Sequence, residues 1–570
     1  MARLTTLKIK GYRSIRDEVE IHFPEGKPLV LLGPNNAGKS NIVRALDLLL
    51  GELWPGSRNP EDHDYWGRDP KGNIEISIEF EAHSTLKEMW WTASGGKVDF
   101  RGVDNSGREK WISNDDRHEL FAMVIEADRR LGYHLSYQSK WTLLSKVMRR
   151  FHKAMSSNEA VVKKLKGKFE EIVETFREIP DFQEFAEALG KYFDAFSMGM
   201  GYSLEVDFSA YDPTNFFHSL RLIPKEGDEP RALDELGTGQ EQLLALALAH
   251  AYAKAFYGGL ILIVEEPEAH LHPLAQRWLA RHMHQLAEDG LQIMITTHSP
   301  AFLSIEGLNG LVLVRKDKDG ATYTLQLDAA SLAEHAVSMG APPAKANQDT
   351  IIPFYAVAAT EEILSGLFAN KVVLVEGSTE ALALPIYLAK VGMDVLREGI
   401  AIIPVHGKGN LAKWYRFFTA YRIPTYVIFD NDAKNDEDGI KRADVLKALG
   451  VETSEIEIGA LTSTEDWIIE DKFAIFGKDF ETTFRALIPG YPDLEEEARQ
   501  KGLQGAKPLI ARYVAERVEF GEEAQPARKK LTDLKDRILN LEPPPIAEIE
   551  TVAPIESGIN WDDLPKDHSK

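Results

Sequence analysis

The chain has 570 residues, too many for one hydrophobic core, so roughly two to four domains are expected. It has no cysteine, which excludes disulfides and thiolate-bound zinc, no run of about 18 apolar residues to span a membrane, and no apolar leader at Met1, so a cytoplasmic protein without membrane contact is expected. Against 66 Lys+Arg stand 89 Asp+Glu, a net charge of −23 that argues against a nonspecific coat on DNA, because duplex affinity comes largely from neutralising phosphates.

In chain order, residues 4–9 alternate as a strand and residues 28–32 form a short apolar strand. Gly33 to Ser40 then fills every fixed position of G-x-x-x-x-G-K-[ST], and residues 41–50 read as a helix with an apolar face. Strand, loop and helix in that order are the context a phosphate-binding loop requires. The N–H groups of Asn35, Asn36, Ala37 and Gly38 would close on phosphates at the helix N-terminus, where Asn41 follows. Lys39 is placed for the β- and γ-phosphates of ATP and Ser40 for Mg²⁺.

From Phe80 to Ser203 no motif is visible, and Trp90 and Trp91 suit a core or an interface equally. Basic clusters at Arg129-Arg130, Arg149-Arg150 and Lys163 to Lys168 lie on helical sequence. They suit DNA or dimer contact, or a solvated face balanced by Glu170, Glu171, Glu174 and Glu178. Leu236-Gly237-Thr238-Gly239-Gln240 precedes an apolar helix at 243–257 and would accept an anion. Residues 260–264 form a buried strand ending in Glu265-Glu266-Pro267-Glu268; Glu265 is assigned to the metal shell and Glu266 to the general base. A second apolar strand, 293–297, ends in His298, placed to sense a γ-phosphate.

This ordered set resembles an ABC-type ATPase of the SMC/RecF branch. The resemblance implies that Arg13 approaches the nucleotide phosphate and that Asp64, in His63-Asp64-Tyr65-Trp66, is a candidate metal ligand in a loop touching the metal or the attacking water, a solvated loop acid being the other reading. It also implies that Gly237, Thr238, Gly239 and Gln240 close over ATP held by a second subunit. The signature departs from Leu-Ser-Gly-Gly-Gln, with Thr238 standing in for the serine.

A second pattern begins at the strand 371–375, which ends in Glu376-Gly377 and leads into a helix at 381–390. A strand at 401–405 is followed by Gly407-Lys408-Gly409-Asn410, and a strand at 426–430 ends in Asp430-Asn431-Asp432. Strands alternating with helices predict a parallel sheet with acids at its carboxyl ends. Asp430 and Asp432, two apart in extended chain, share a face. An oxygen-only set suits Mg²⁺, with Mn²⁺ as the alternative, and two ions roughly 4 Å apart would serve one phosphoryl displacement.

These residues resemble a Toprim domain, and the whole chain to about residue 515 resembles the overcoming-lysogenisation-defect (OLD) family of ATP-dependent nucleases. The resemblance implies that Glu376, Glu380, Asp430 and Asp432 are metal ligands, joined by either Glu470 (in 466–471) or Glu481 (in 479–481). It further implies a phosphate-contacting lysine, matched by Lys507 with Lys501 as its neighbour. No tyrosine nucleophile is evident, which favours hydrolysis over strand passage.

The expected fold is α/β: an ABC-type ATPase at 1–120 and 204–365 around a helical insertion at 121–203, expected to serve dimerisation, then a Toprim domain at 366–515 with a parallel sheet, and a C-terminal helix and acidic Pro-rich tail at 516–570. The expected activity is ATP-regulated DNA cleavage in antiphage defence or repair, by a homodimer or larger even-numbered oligomer with a helicase as a further partner. The alternative is an ATP-gated DNA clamp that relies on a partner enzyme.

Overall fold

The computed structural model describes residues 2–51, 53–125, much of 144–187, 225–226, 229–230, isolated positions from 244 to 251, 259–269, 271–432, 436, 439–451 and 466–544. The chain divides into two compact units, Met1–Ser331 with Asn347–Phe368, and Leu332–Ala346 with Ala369–Lys570.

The first unit holds β1 (Arg3–Lys10), β2 (Val19–His22), β3 (Leu29–Leu32), β4 (Asn73–Glu81), β5 (Leu86–Ser94), β6 (Lys97–Asp104), β7 (Glu109–Trp111), β8 (Leu120–Ile125), the short pair β9 (Lys225–Glu226) and β10 (Glu229–Pro230), β11 (Gly259–Glu265), β12 (Gln292–Thr297), β13 (Leu311–Lys316) and β14 (Thr322–Gln326). One sheet runs β2-β1-β4-β5-β6-β7 and is antiparallel throughout. Its strands alternate: β4 buries Ile74, Ile76 and Ile78 and turns Asn73, Glu75 and Glu81 to solvent, the pattern of a sheet packed on one face. The other runs β14-β13-β3-β12-β11-β8 and is parallel except for β14. Its inner strands are continuous apolar runs, because a parallel sheet is covered on both faces.

The stretch after Phe80 that shows no motif begins as sheet, through β5, β6 and β7, and Trp91 is wholly buried there, its Nε1 donating to the Pro55 carbonyl at 3.0 Å. Leu120–Ile125 lies partly inside the expected helical insertion, yet it pairs with β11 as the edge of the parallel sheet. An apolar run of six is too short to separate strand from helix by periodicity alone. Within the insertion a helix does form at Glu159–Arg177, with Lys168 and Glu171 paired on its exposed side. Arg129, Arg130, Arg149, Arg150 and the signature Gly237, Thr238, Gly239 and Gln240 lie outside the described residues, as does most of 243–257.

The second unit holds β15 (Lys371–Val375), β16 (Ile400–Pro404), β17 (Thr425–Asp430), β18 (Ile468–Ile469) and β19 (Phe473–Phe476), in the order β16-β15-β17-β19-β18. All pairings are parallel except that of β18. Helices Ser378–Lys390, Phe480–Leu487, Lys507–Arg517 and Gln525–Leu539 cover the sheet through Leu384, Tyr387, Phe480, Phe484, Val514 and Leu531. The segment Leu332–Ala346 joins this unit: His335 Nε2 lies 3.0 Å from Thr419 Oγ1, and Arg416 Nε donates to the Met339 carbonyl. The tail beyond residue 544 lies outside the described residues. Among the described residues no helix is long and apolar enough to cross a membrane.

Candidate functional site

In the first unit, β3 runs straight into the phosphate-loop sequence and the helix Lys39–Leu50. Gly33 and Gly38 have φ of 139° and 113°, and a Cβ on Gly33 would stand 2.1 Å from the Val314 carbonyl oxygen. Only glycine fits there. Asn35, Asn36 and Ser40 are exposed at the loop's mouth, whereas Ala37 and Lys39 are buried. Lys39 Nζ donates to the carbonyls of Gly33 and Pro34 at 2.9 and 3.1 Å. Burial pulls its ammonium down to about 8, against the upward pull of Glu266 and Glu268.

A hydroxyl chain fastens this loop. Thr322 Oγ1 lies 2.8 Å from both the Ala37 carbonyl oxygen and Ser14 Oγ, and Asn41 Nδ2 donates to Ser14 Oγ at 2.7 Å. A carbonyl only accepts, so the Thr322 hydroxyl donates to Ala37 and accepts from Ser14, which in turn accepts from Asn41. Arg16 extends the fastening, bridging Asp317 and Asp319 in the turn of the β13–β14 hairpin.

Arg13 and Asp64, expected to act on phosphate and metal separately, are paired. Arg13 Nε and Nη2 donate to Asp64 Oδ1 at 3.0 and 2.9 Å, and Asp64 is buried. Across the loop, β11 delivers Glu265 and Glu266, and β12 delivers His298. Glu266 takes a left-handed backbone, φ 45°, and its N–H donates to the Thr296 carbonyl at 2.8 Å. Its Oε1 stands 3.9 Å from His298 Nε2. Glu268 carries a role the sequence did not disclose. Its Oε1 accepts from the His298 N–H at 2.6 Å and its Oε2 from the Thr297 hydroxyl at 2.9 Å, so it fixes the histidine loop. Burial raises the pKa of Glu268, and burial with the Lys39 charge lowers that of His298.

In the second unit the carboxyl ends of β15, β16, β17 and β19 gather a carboxylate cluster. Glu376 Oε1 accepts from the Asp430 N–H at 2.8 Å, and Glu380 Oε2 from the Gly377 N–H at 3.1 Å, closing the first turn of the helix Ser378–Lys390. Burial raises Asp430 to about 9, with Glu380, Glu376, Asp432 and Asp479 adding to it. Burial likewise raises Glu380 to about 7, helped by Glu376 and Glu481. Lys408 sits among them, with Nζ 2.9 Å from Asp432 Oδ1 and 3.5 Å from Glu376 Oε1. The Asp-Asn-Asp turn is braced from behind: Arg442 donates to Asn431 O and Oδ1 and to the buried Asp436.

The structure brings Glu481, not Glu470, to this cluster. Glu470 follows β18, which is antiparallel to β19, and its N–H donates to the Phe473 carbonyl at the start of β19. It is exposed at the opposite end of the sheet from Asp430, which pairs with Phe476. Asp479 caps the helix Phe480–Leu487 through Thr482 N, and Glu481 follows in its first turn. Lys507 Nζ, on an exposed side chain, lies 3.9 Å from Glu481 Oε1, whereas Lys501 is engaged with Glu497 and the Tyr513 hydroxyl. The glycine-flanked lysine after the second strand was the one sequence cue to Lys408; Thr322, Ser14 and Glu268 had none.

An oxygen-only donor set suits a hard divalent cation. Asp430 Oδ1, buried and with no hydrogen-bond partner among the described residues, offers a lone pair for one. Among the described residues no three acidic or histidine side chains already close round a single point. Lys408 supplies the positive charge in their midst.

Two family models match the chain. The model described as "Overcoming lysogenization defect protein-like, TOPRIM domain" covers residues 367–432, and that described as "AAA ATPase domain" covers 3–176 and 110–303. The OLD nuclease of Thermus scotoductus is 27% identical over 461 residues, 75% of this chain and 82% of that protein. The Old nuclease of Escherichia phage P2 is 26% identical over 224 residues, 38% of this chain and 36% of that one. Among solved structures, the SMC head domain from Thermotoga maritima is 16% identical with a TM-score of 0.28, over 57% of this chain and 99% of that one. With one model spanning more than half its length and the other ending on its Asp-Asn-Asp turn, the chain belongs to the AAA ATPase family and carries an OLD-like Toprim domain in the same polypeptide.

Proposed function

We propose that the chain is an ATP-regulated DNA endonuclease that hydrolyses phosphodiester bonds at its Toprim site with a divalent cation, in antiphage defence or repair. The observation that carries this reading is the cluster of Glu376, Glu380, Asp430, Asp432 and Glu481, in which burial and repulsion between neighbouring carboxylates drive up the proton affinities of Glu376, Glu380 and Asp430. Asp430, raised to about 9, stays ionised at neutral pH only beside added positive charge. Two relatives named as nucleases agree with it.

The five carboxylates would hold Mg²⁺ or Mn²⁺, which when bound acidifies a water and stabilises the leaving oxygen. Lys507, at the exposed rim beside Glu481, would meet the negative charge that develops on the phosphate. In the ATPase, Lys39 and the loop N–H groups would bind the phosphates, Arg13, steadied by its pairing with Asp64, would approach them, and Ser40 and Glu265 would hold Mg²⁺ with Asp64 near the metal. Glu266 would orient the attacking water, and His298 would read the γ-phosphate from the place Glu268 gives it. Gly237 to Gln240 of a second copy would complete the ATP site, so DNA and a homodimer or larger even-numbered oligomer are the proposed partners, with a helicase as a further one.

The test is nicking of supercoiled plasmid with Mg²⁺ or Mn²⁺, with and without ATP, by the native protein, Glu376→Ala and Lys39→Ala. Cutting should vanish in Glu376→Ala, and ATP should alter it only when Lys39 is intact. Metal-dependent cutting by Glu376→Ala would refute the assignment, and no cutting under any condition would favour the clamp.

A further inference from the structure

We propose that Lys408 is a built-in cation of the carboxylate cluster: it serves the half made by Glu376 and Asp432 and leaves the half made by Asp430, Glu380 and Glu481 to a single divalent ion. The proposal rests on the nuclease reading and deepens it, replacing the second ion of a two-metal site by a lysine.

The position of the ammonium comes first. Lys408 Nζ lies 2.9 Å from Asp432 Oδ1, 3.0 Å from the Asp432 carbonyl oxygen and 3.5 Å from Glu376 Oε1. A metal bridging the same two carboxylates at about 2.0–2.6 Å would stand within van der Waals reach of that nitrogen, cation against cation. Lysine is also an unusual residue to find so deep, with 5% of its side chain exposed, and lysines buried to that extent are paired. The partners here are the two carboxylates.

The backbone is shaped to deliver it. After β16 the chain takes two left-handed residues in succession, His406 at φ 58° and Gly407 at 122°. A non-glycine residue in that region carries local strain, which persists only where the surroundings enforce it. Gly407 N–H donates to the Glu376 carbonyl at 2.8 Å, and Asn410 Nδ2 to the Val405 carbonyl at 2.9 Å. The turn is thus pinned to the end of β15, and it doubles back so that Lys408 reaches across to β17.

Among the described residues, the other half of the cluster has no such buried partner. Asp430 Oδ1 has no hydrogen bond, and Glu380 Oε2 accepts from the Gly377 N–H. Glu481 has Lys507 at 3.9 Å, on a side chain 76% exposed. That half is where added positive charge is needed.

The experiment counts Mn²⁺ bound to the full-length, nucleotide-free protein, by the paramagnetic signal of free Mn²⁺ and by calorimetry, with Asp430→Asn as the background. The native protein should bind one Asp430-dependent ion per chain. Lys408→Met, close in volume but uncharged, should bind a second ion or hold the first at least about tenfold more tightly, since an adjacent like charge is gone. Lys408→Arg should keep the count at one. Two Asp430-dependent ions with Lys408 in place would overturn the proposal, and so would a Lys408→Met protein that matches the native count and affinity. If Lys408→Met fails to fold, as melting would show, the native count decides alone. An absence of any Asp430-dependent ion would instead sink the metal-nuclease reading itself.

Discussion

Thr322→Val tests whether the hydroxyl chain under the phosphate loop acts on nucleotide binding. Valine keeps the shape of threonine and removes the hydroxyl that joins the Ala37 carbonyl to Ser14. Thr322 and Ala37 are both about 3% exposed, so water does not replace the lost bond. Leaving a buried acceptor unpaired costs about 1–3 kcal/mol, and the broken link to Ser14 and Asn41 falls within that range. Because the Ala37 N–H belongs to the loop that meets the phosphates, most of the penalty should appear in binding. At about 2 kcal/mol that is a loss of roughly 30-fold in ATP affinity. Titration with a fluorescent ATP analogue, beside thermal melting, measures both effects. Thr322→Ser, which keeps the hydroxyl, should stay within about threefold of native. The reasoning fails if Thr322→Val lowers the melting temperature but binds ATP normally, or if serine is as harmful as valine. The first outcome would make the chain purely structural, and the second would assign the effect to the methyl group.

Glu268→Gln should lower the kcat of ATP hydrolysis by about tenfold with little change in KM, because the amide offers a donor where the His298 N–H and Thr297 hydroxyl need acceptors. Steady-state phosphate release checks it, and an unchanged kcat would show that the histidine loop holds its place without Glu268. His335 is held neutral by burial, its pKa lowered in the fold, while in the unfolded chain it protonates near about 6.5. Below that pH the unfolded state binds more protons, so stability present above it is lost as pH falls. Melting between about pH 5 and 7.5 should therefore depend less steeply on pH in His335→Asn than in the native protein, and equal slopes would refute the assignment.

What the sequence disclosed is what short spacing encodes. The phosphate loop is eight consecutive residues, and Asp430 and Asp432 share a face because strand geometry fixes them. Three neighbouring strands of the Toprim sheet, β15, β16 and β17, were legible from their apolar runs for the same reason. What stayed hidden is contact between residues far apart in the chain. Thr322 reaches Ala37 across 285 positions, and Glu268 reaches His298 across 30. Threonine after a turn and glutamate after a proline carry no local sign of either. The choice between Glu470 and Glu481 was open because nearness in sequence favoured one and form the other. Only the antiparallel turn of β18 sends Glu470 to the wrong end of the sheet.

Backbone strain separates the two kinds of information further. Among the described residues seven non-glycine positions have positive φ, and four of them, Arg13, Asn36, Glu266 and His406, stand in or beside the two sites. Each conformation is costly by itself and is kept only where surrounding bonds over-determine it. Arg13 is held by Asp64 through its N–H and guanidinium, Glu266 by the Thr296 carbonyl, and the His406–Gly407 turn by the Glu376 carbonyl. Arginine, glutamate and histidine do not announce left-handed backbone as glycine does, so a reading by residue type passes over them. The enforcing contacts come from other strands, and the strain therefore exists only once the sheet has formed. Folding then does more than bring the carboxylates and the phosphate loop together. It turns Glu266 and Lys408 out of the directions their own strands would give them and towards the two candidate sites.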